Sequence, residues 1–197
     1  MSSSSGFEPD AGVTTTKAQF DAGLKIFMTE TRFTGALGGI DGATQKCVDL
    51  AAAAGLAGKF VAILGDATHS AFDTIPAGVD GPWYVNHYPT EAEMNGPPMS
   101  GGNEPLAFRN RAALKGKPLR SIVFSETGGD LSSGSATLSY WTGAEPLGEP
   151  SAENCSSWTI AGSGQGQSGN GYGGSQWISD RPQLCFSKHS LLCFQIP

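Results

Sequence analysis

The chain closes on 183-QLCFSKHSLLCFQ-195, which holds two of its four cysteines, Cys185 and Cys193, eight residues apart. The run 189-HSLLCFQI-196 is nearly all apolar on the N-terminal side of Gln195 and reads as a central strand. The residues before 187-SKHS-190 read as a second short strand. Two strands flanking such a turn do not easily bring their own cysteines together, so each partner is expected further back in the sequence. Cys47 and Cys155 are the two available. No Cys-x-x-Cys pair occurs, which argues against a structural zinc site and against a redox dithiol. Four buried free thiols and two disulfides remain as readings, and the second implies an oxidising compartment.

Working outward, 42-GATQKCVDLAAAAG-55 reads as a helix with Asp41 as its cap and Gly55 at its C-terminal end. Ala43, Cys47, Leu50, Ala51 and Ala54 share one helical face, so Cys47 points at the core. A cysteine on a buried helix face and one in an apolar closing strand are natural partners, which gives Cys47–Cys193. Cys155–Cys185 then brackets the Gly-rich stretch between them. Closing a loop of about 30 residues stabilises by roughly 3–4 kcal/mol on the chain-entropy model.

The other elements are less regular. The run 24-LKIFMTETRFTG-35 reads as a first strand, 58-GKFVAILGD-66 as a short strand, and 70-SAFDTI-75 as one or two helical turns. From Pro76 to about Pro118 the chain is an irregular excursion rich in Gly, Pro and Asn. The runs 82-PWYVNHYP-89 and 119-LRSIVFSET-127 are candidate strands in or around it. The run 136-ATLSYWTG-143 has strand character, and 156-SSWTIAGSGQGQSGNGYGGSQWI-178 is nearly low-complexity. Residues 1–6 (MSSSSG) have neither a basic n-region nor an apolar h-region and read as an appended start or linker. Residues 7–23 read as an N-terminal arm or linker, leaving 24–197 as one domain.

Hydrophobic residues make up 39% of the 197, enough for a core, and no apolar run approaches the ~20 residues of a membrane helix, so membrane insertion is not expected. The net charge of −6 argues against a nucleic-acid partner.

Nested cysteines around long loops resemble the C-type lectin-like fold. The run 49-DLAAAAGLAGKFVAILGD-66 is similar to the first-helix region of endostatin. The runs 26-IFMTETRFTGALGGIDGATQKC-47, 140-YWTGAEPLGEPSAENCSSWT-159, 175-SQWIS-179 and 191-LLCFQ-195 resemble a bacterial C-type-lectin-like family of unknown function. The likeness runs from about Lys25 to Gln195, with residues 76–125 poorly matched. It implies an α+β, endostatin-like C-type lectin-like fold with long loops and two nested disulfides. Sugar-binding members hold calcium through Glu-Pro-Asn or Gln-Pro-Asp and Trp-Asn-Asp. Here Glu104-Pro105 is followed by Leu106, and Trp141 by Thr142, so neither tripeptide supplies the oxygens calcium needs. Endostatin-type zinc binding uses N-terminal histidines, and the arm has none. No metal and no cofactor are therefore expected. Endostatin's heparin binding finds little support in the negative charge.

Gly164–Gly169 fits the dinucleotide pattern G-x-G-x-x-G but lacks a surrounding βαβ unit, so it reads as a chance match in a flexible loop. Asn154-Cys155-Ser156 fits a glycosylation sequon whose middle residue is a disulfide cysteine. Candidate ligand contacts are the aromatic cluster Trp83, Tyr84, His87 and Tyr88, then Tyr172 and Trp177 beside the Gly-rich loop, and the cations Arg109 and Arg111. The cations belong to a basic run with Lys115, Lys117 and Arg120. The expectation is a secreted or cell-surface recognition or adhesion module that binds a glycan or another surface ligand without calcium. It would be a fibre tip, trimeric through its N-terminal arm. The alternatives are a structural surface protein and an enzyme of the formylglycine-generating type, which needs free cysteines.

Overall fold

A computed structural model describes residues 14–95, 104–133 and 138–197. Residues 1–13, and with them the expected start or linker, most of the expected arm and any trimer contact through those residues, lie outside the described residues.

The architecture is mixed α+β. Eight strands, β1 (Leu24–Met28), β2 (Lys59–Ala62), β3 (Trp83–Val85), β4 (Leu106–Phe108), β5 (Ser139–Trp141), β6 (Gln165–Asn170), β7 (Arg181–Leu184) and β8 (Ser190–Ile196), form one sheet. Its order is β4-β3-β1-β8-β5-β6-β7, with β2 also paired to β8. The closing strand is central, as its apolar run predicts, with Leu191 to Phe194 all buried. The right-handed α-helices among the described residues are α1 (Lys17–Ala22), α2 (Gly39–Ala53) and α3 (Glu91–Asn95).

Both disulfides form as the spacing suggests. Cys47 on α2 joins Cys193 on β8, and Cys155 joins Cys185, each with Cα atoms 5.6 Å apart. Ala43, Cys47 and Ala51 are the buried face of α2, and Gly55 follows the helix at φ 74°. The helix starts three residues earlier than the sequence suggests. Gly38, at φ 84°, is the N-cap, and Asp41 sits in the first turn without capping it.

The first strand stops at Met28, and Phe33 returns only as a single bridge to His189. Residues 119–127 are not a strand. Ile122 to Phe124 are buried, with Ile122 N–H donating to Gly171 O at 2.8 Å and the Phe124 carbonyl accepting from Met28 N–H of β1 at 2.9 Å. Ala71–Thr74 makes one 3-10 turn, capped reciprocally by Ser70 and Asp73.

The Gly-rich stretch overturns its low-complexity reading. Residues 165–170, including the G-x-G-x-x-G match, form β6, an ordered strand between β5 and β7. Gly is a poor strand former, but here it makes room for rings. A Cβ on Gly166 would lie 2.8 Å from Cys155 Sγ and 2.9 Å from Trp141. One on Gly169 would lie 2.1 Å from Trp177 O and 2.6 Å from the Tyr140 ring.

Two main cores flank the sheet. One gathers Trp83, Phe108, Phe124, Tyr140, Trp177 and Phe194. The other holds both disulfides with Phe27, Phe60, Trp141 and Trp158. A small third cluster lies under α1, where Phe20 packs on Tyr84 and Leu106, with Tyr88 at its edge. Helix α1 carries a reciprocal Thr16–Gln19 cap, and Lys25 Nζ sits 4.2 Å over the Phe20 ring.

Candidate functional site

Immediately after Asn154 the backbone turns left-handed for four residues. Cys155, Ser156, Ser157 and Trp158 have φ between 50° and 63°, and none is glycine. Each such L-residue costs about 1–2 kcal/mol, so surrounding contacts must hold the turn. Asn154 Oδ1 accepts from Ser157 N–H at 2.7 Å. The Trp158 carbonyl accepts from Leu37 N–H at 2.9 Å and Gly38 N–H at 3.1 Å. Cys155 is tied to Cys185. The result buries Cys155 and Trp158 while turning Ser156 and Ser157 outward.

Ser157 thereby becomes one wall of a cleft of about 440 Å³. The start of α2 (Gly38 to Asp41) forms another wall, and the segment holding Asp66, His69, Ser70, Asp73 and Thr74 a third. Three carboxylates line the space, and among the described residues no Lys or Arg does. Their remaining hydrogen-bonding capacity differs. Asp66 Oδ1 accepts from Thr68 N–H and Oγ1–H and from His69 N–H, at 2.8–2.9 Å. Burial alone would raise the Asp66 pKa, but these bonds outweigh it and hold the carboxyl at about 2. Asp66 is thus an ionised turn-former. Asp73 Oδ2 accepts from Ser70 N–H at 2.9 Å, leaving Oδ1 for a ligand. Asp41 is exposed in the first turn of α2. The carboxylates give the cleft strong acceptors, which suit the O–H or N–H donors of a ligand.

The residues singled out from sequence are dispersed. Trp83 and Trp177 belong to the core, not the surface. Trp83 is fully buried with its N–H on Gln195 O at 3.0 Å, and Trp177 donates to Gly116 O at 2.6 Å while stacking on Phe72. Tyr84 lies beneath Phe20, and Tyr88 packs on it with centroids 5.2 Å apart. His87 stacks on Phe124 at 4.4 Å and contacts both Glu93 oxygens at 3.2 Å. Arg111 fastens the carbonyls of Phe72, Ile75 and Pro76 at 3.0–3.1 Å. Arg120 is buried against Phe124. Arg109 is exposed. Tyr172, 53% exposed, is the one large aromatic of the set that faces solvent. The basic run is therefore not a single patch.

The cleft residues escaped sequence reading apart from Asp41, which was read as a cap. The Ser70-x-x-Asp73 spacing announces a capped turn, but nothing in Cys-Ser-Ser-Trp announces a left-handed one.

Among the described residues no group of three or more His, Cys, Asp or Glu is arranged to hold a metal ion, and no helix is long and apolar enough to cross a membrane. All four cysteines are in disulfides, which suits an extracellular or otherwise oxidising setting. The fold and cleft define a disulfide-stapled α+β domain with an acidic depression at the start of α2. No family model matches the chain, and no curated protein matches it.

Proposed function

We propose that the protein is an extracellular recognition module of the C-type lectin-like class that binds a glycan in the cleft at the start of α2, without calcium. The observation that carries this reading is the left-handed turn. Backbone held in a costly conformation by a disulfide and several hydrogen bonds is a feature that concentrates at functional sites, and here it places Ser157 opposite Asp41 and Asp73. Sugar hydroxyls are donors in need of acceptors, and Asp41 and Asp73 Oδ1 supply them. Ile40 adds an apolar surface for a ring face. The engagement of every cysteine in a disulfide counts against a thiol-dependent oxidase of the formylglycine-generating type.

Adhesion at a cell surface, with the domain as a trimeric fibre tip, extends the same reading. A clean monomer in light scattering of the full chain would remove the trimer from it.

The reading is tested on a glycan array of bacterial and host sugars, with Asp41→Asn and Asp73→Asn alongside the wild type. Binding that falls roughly tenfold in either variant, as expected for losing one hydrogen bond to a charged group, supports the cleft. Silence of the wild type across the array leaves a structural surface protein as the better description. Binding unaffected by both substitutions would move the site elsewhere.

A further inference from the structure

The two disulfides sit in unlike surroundings. Cys47 lies on the buried face of α2, and Cys193 lies in the central strand β8, directly paired with Phe27 of β1 and Ala62 of β2. Both ends of that bridge belong to regular structure, and neither residue is exposed. Cys155 instead opens the left-handed turn at φ 50°, the first of four consecutive non-glycine residues in that region. Its partner Cys185 follows directly on the end of β7.

Glycine backbone lies against the sulfurs of this second bridge. A Cβ on Gly166 would lie 2.8 Å from Cys155 Sγ, and one on Gly164 would lie 3.5 Å from Cys185 Sγ. Gly35 also packs against Cys155 Sγ. Residues 161–165 are all exposed, and a Cβ on Gly162 would meet nothing within 4 Å. Cys185 N–H donates to Gly164 O at 3.0 Å, so an exposed glycine segment lies against the Cys185 sulfur. Exposed segments with few buried apolar contacts open locally at small cost.

The same bridge carries backbone strain. L-residues at positive φ are disfavoured, and four in a row persist only while surrounding contacts force them. Besides the bridge, the turn is held by the Asn154–Ser157 bond and by the Trp158 carbonyl, which accepts from Leu37 and Gly38. The sulfur link is the covalent hold on Cys155, so breaking it lets strain relax. Cys47 and Cys193 have no positive φ to relax. A strained disulfide under thin cover is reduced more readily than an unstrained buried one.

We infer that Cys155–Cys185 is a reducible catch, opened by a dithiol while Cys47–Cys193 stays closed, and that its opening withdraws Ser157 from the wall of the α2 cleft. A thiolate of the dithiol attacks Cys185 Sγ beside Gly164, and Cys155 departs as a thiolate. The second thiol of the reductant then attacks the reductant's own sulfur in the mixed disulfide and frees Cys185. Two electrons and two protons pass to the cysteines, and the reductant closes to a cyclic disulfide. The turn then leaves the left-handed region and carries Ser157 with it. Control of binding in the cleft rests on the glycan reading, whereas the catch itself does not.

The test places the full chain in a series of reduced-to-oxidised dithiothreitol ratios, traps free thiols with iodoacetamide and maps them by mass spectrometry. Cys155 and Cys185 should be trapped at a ratio roughly tenfold lower than Cys47 and Cys193. Amide exchange at residues 155–158 should rise in that window while β8 stays protected. Ser156 is exposed at φ 53°, and Ser156→Gly removes strain there, so it should make the bridge roughly fivefold harder to reduce. A glycan that binds the oxidised chain should bind roughly tenfold more weakly in the window, as for one lost hydrogen bond, and recover on reoxidation. Simultaneous opening of both bridges, unchanged exchange at 155–158, or an unshifted midpoint in Ser156→Gly overturns the catch. Glycan affinity indifferent to reduction overturns its control of the cleft. If the chain binds no glycan, the glycan reading fails, and the trapping and exchange results still decide the catch.

Discussion

The indole N–H of Trp158 donates to the carbonyl of Gly65 at 2.7 Å, joining residues 93 apart in sequence. This bond spans from the left-handed turn to the loop that opposes it across the cleft. Replacing Trp158 with Phe keeps most of the ring volume but leaves a buried carbonyl without its donor. The expected destabilisation is about 1–3 kcal/mol, read from the urea midpoint.

The two disulfides should separate in their effects. On the chain-entropy model, opening the 146-residue Cys47–Cys193 loop costs about 5 kcal/mol and the 30-residue Cys155–Cys185 loop about 4 kcal/mol. Double alanine replacement of each pair should give that order in urea unfolding. Only loss of Cys155–Cys185 should also alter the near-UV signal of Trp158, because only that bond anchors the turn. An unchanged Trp158 environment would show that hydrogen bonds alone maintain the left-handed backbone.

Stability should fall in mild acid. Burial first, then the charges of Arg32 and Arg181, push the His189 pKa down to about 4 from an ordinary 6.5. The unfolded chain therefore takes up this proton at a higher pH than the folded one. The contribution is complete above pH 6.5 and is lost as pH falls toward 4, amounting to on the order of 3 kcal/mol. Asp66 adds a second loss between its ordinary 3.8 and about 2. Urea midpoints at pH 7, 5 and 4 measure the first loss, and His189→Gln should flatten that slope.

Glycines of the same stretch should respond oppositely to alanine. Gly169→Ala drives a methyl group into Trp177 O and the Tyr140 ring, at about 1–3 kcal/mol or more. A Cβ on Gly162 meets nothing within 4 Å, so Gly162→Ala should stay within about 0.5 kcal/mol of wild type. Equal thermal midpoints for the two variants would mean that β6 is not packed as described.

Legibility followed the range of the forces. Strand β8 and helix α2 were readable because a continuous apolar run and a 3.6-residue period each signal burial through neighbours in sequence. Strand β6 was not readable, since Gly, Gln and Ser carry no strand preference. It is a strand because Tyr140, Trp141, Trp158 and Trp177 occupy the volume that side chains on Gly166 and Gly169 would need. The burial of Trp83 and Trp177 escaped the sequence for a related reason. Trp83 and Trp177 look alike in sequence whether they face a ligand or a core, and only packing against Phe194 and Phe72 distinguishes the cases.

The sequence alone determined which cysteines pair, which face of α2 turns inward and which strand is central, because hydrophobic pattern and covalent spacing encode these locally. The left-handed turn, the acidic cleft and the burial of His189 were decided by the tertiary structure. Each depends on partners from distant segments (Gly65, Leu37 and Cys185 for the turn, Ser139 and Phe33 for the histidine), whose combined contacts override what Cys-Ser-Ser-Trp or Lys-His-Ser would adopt alone.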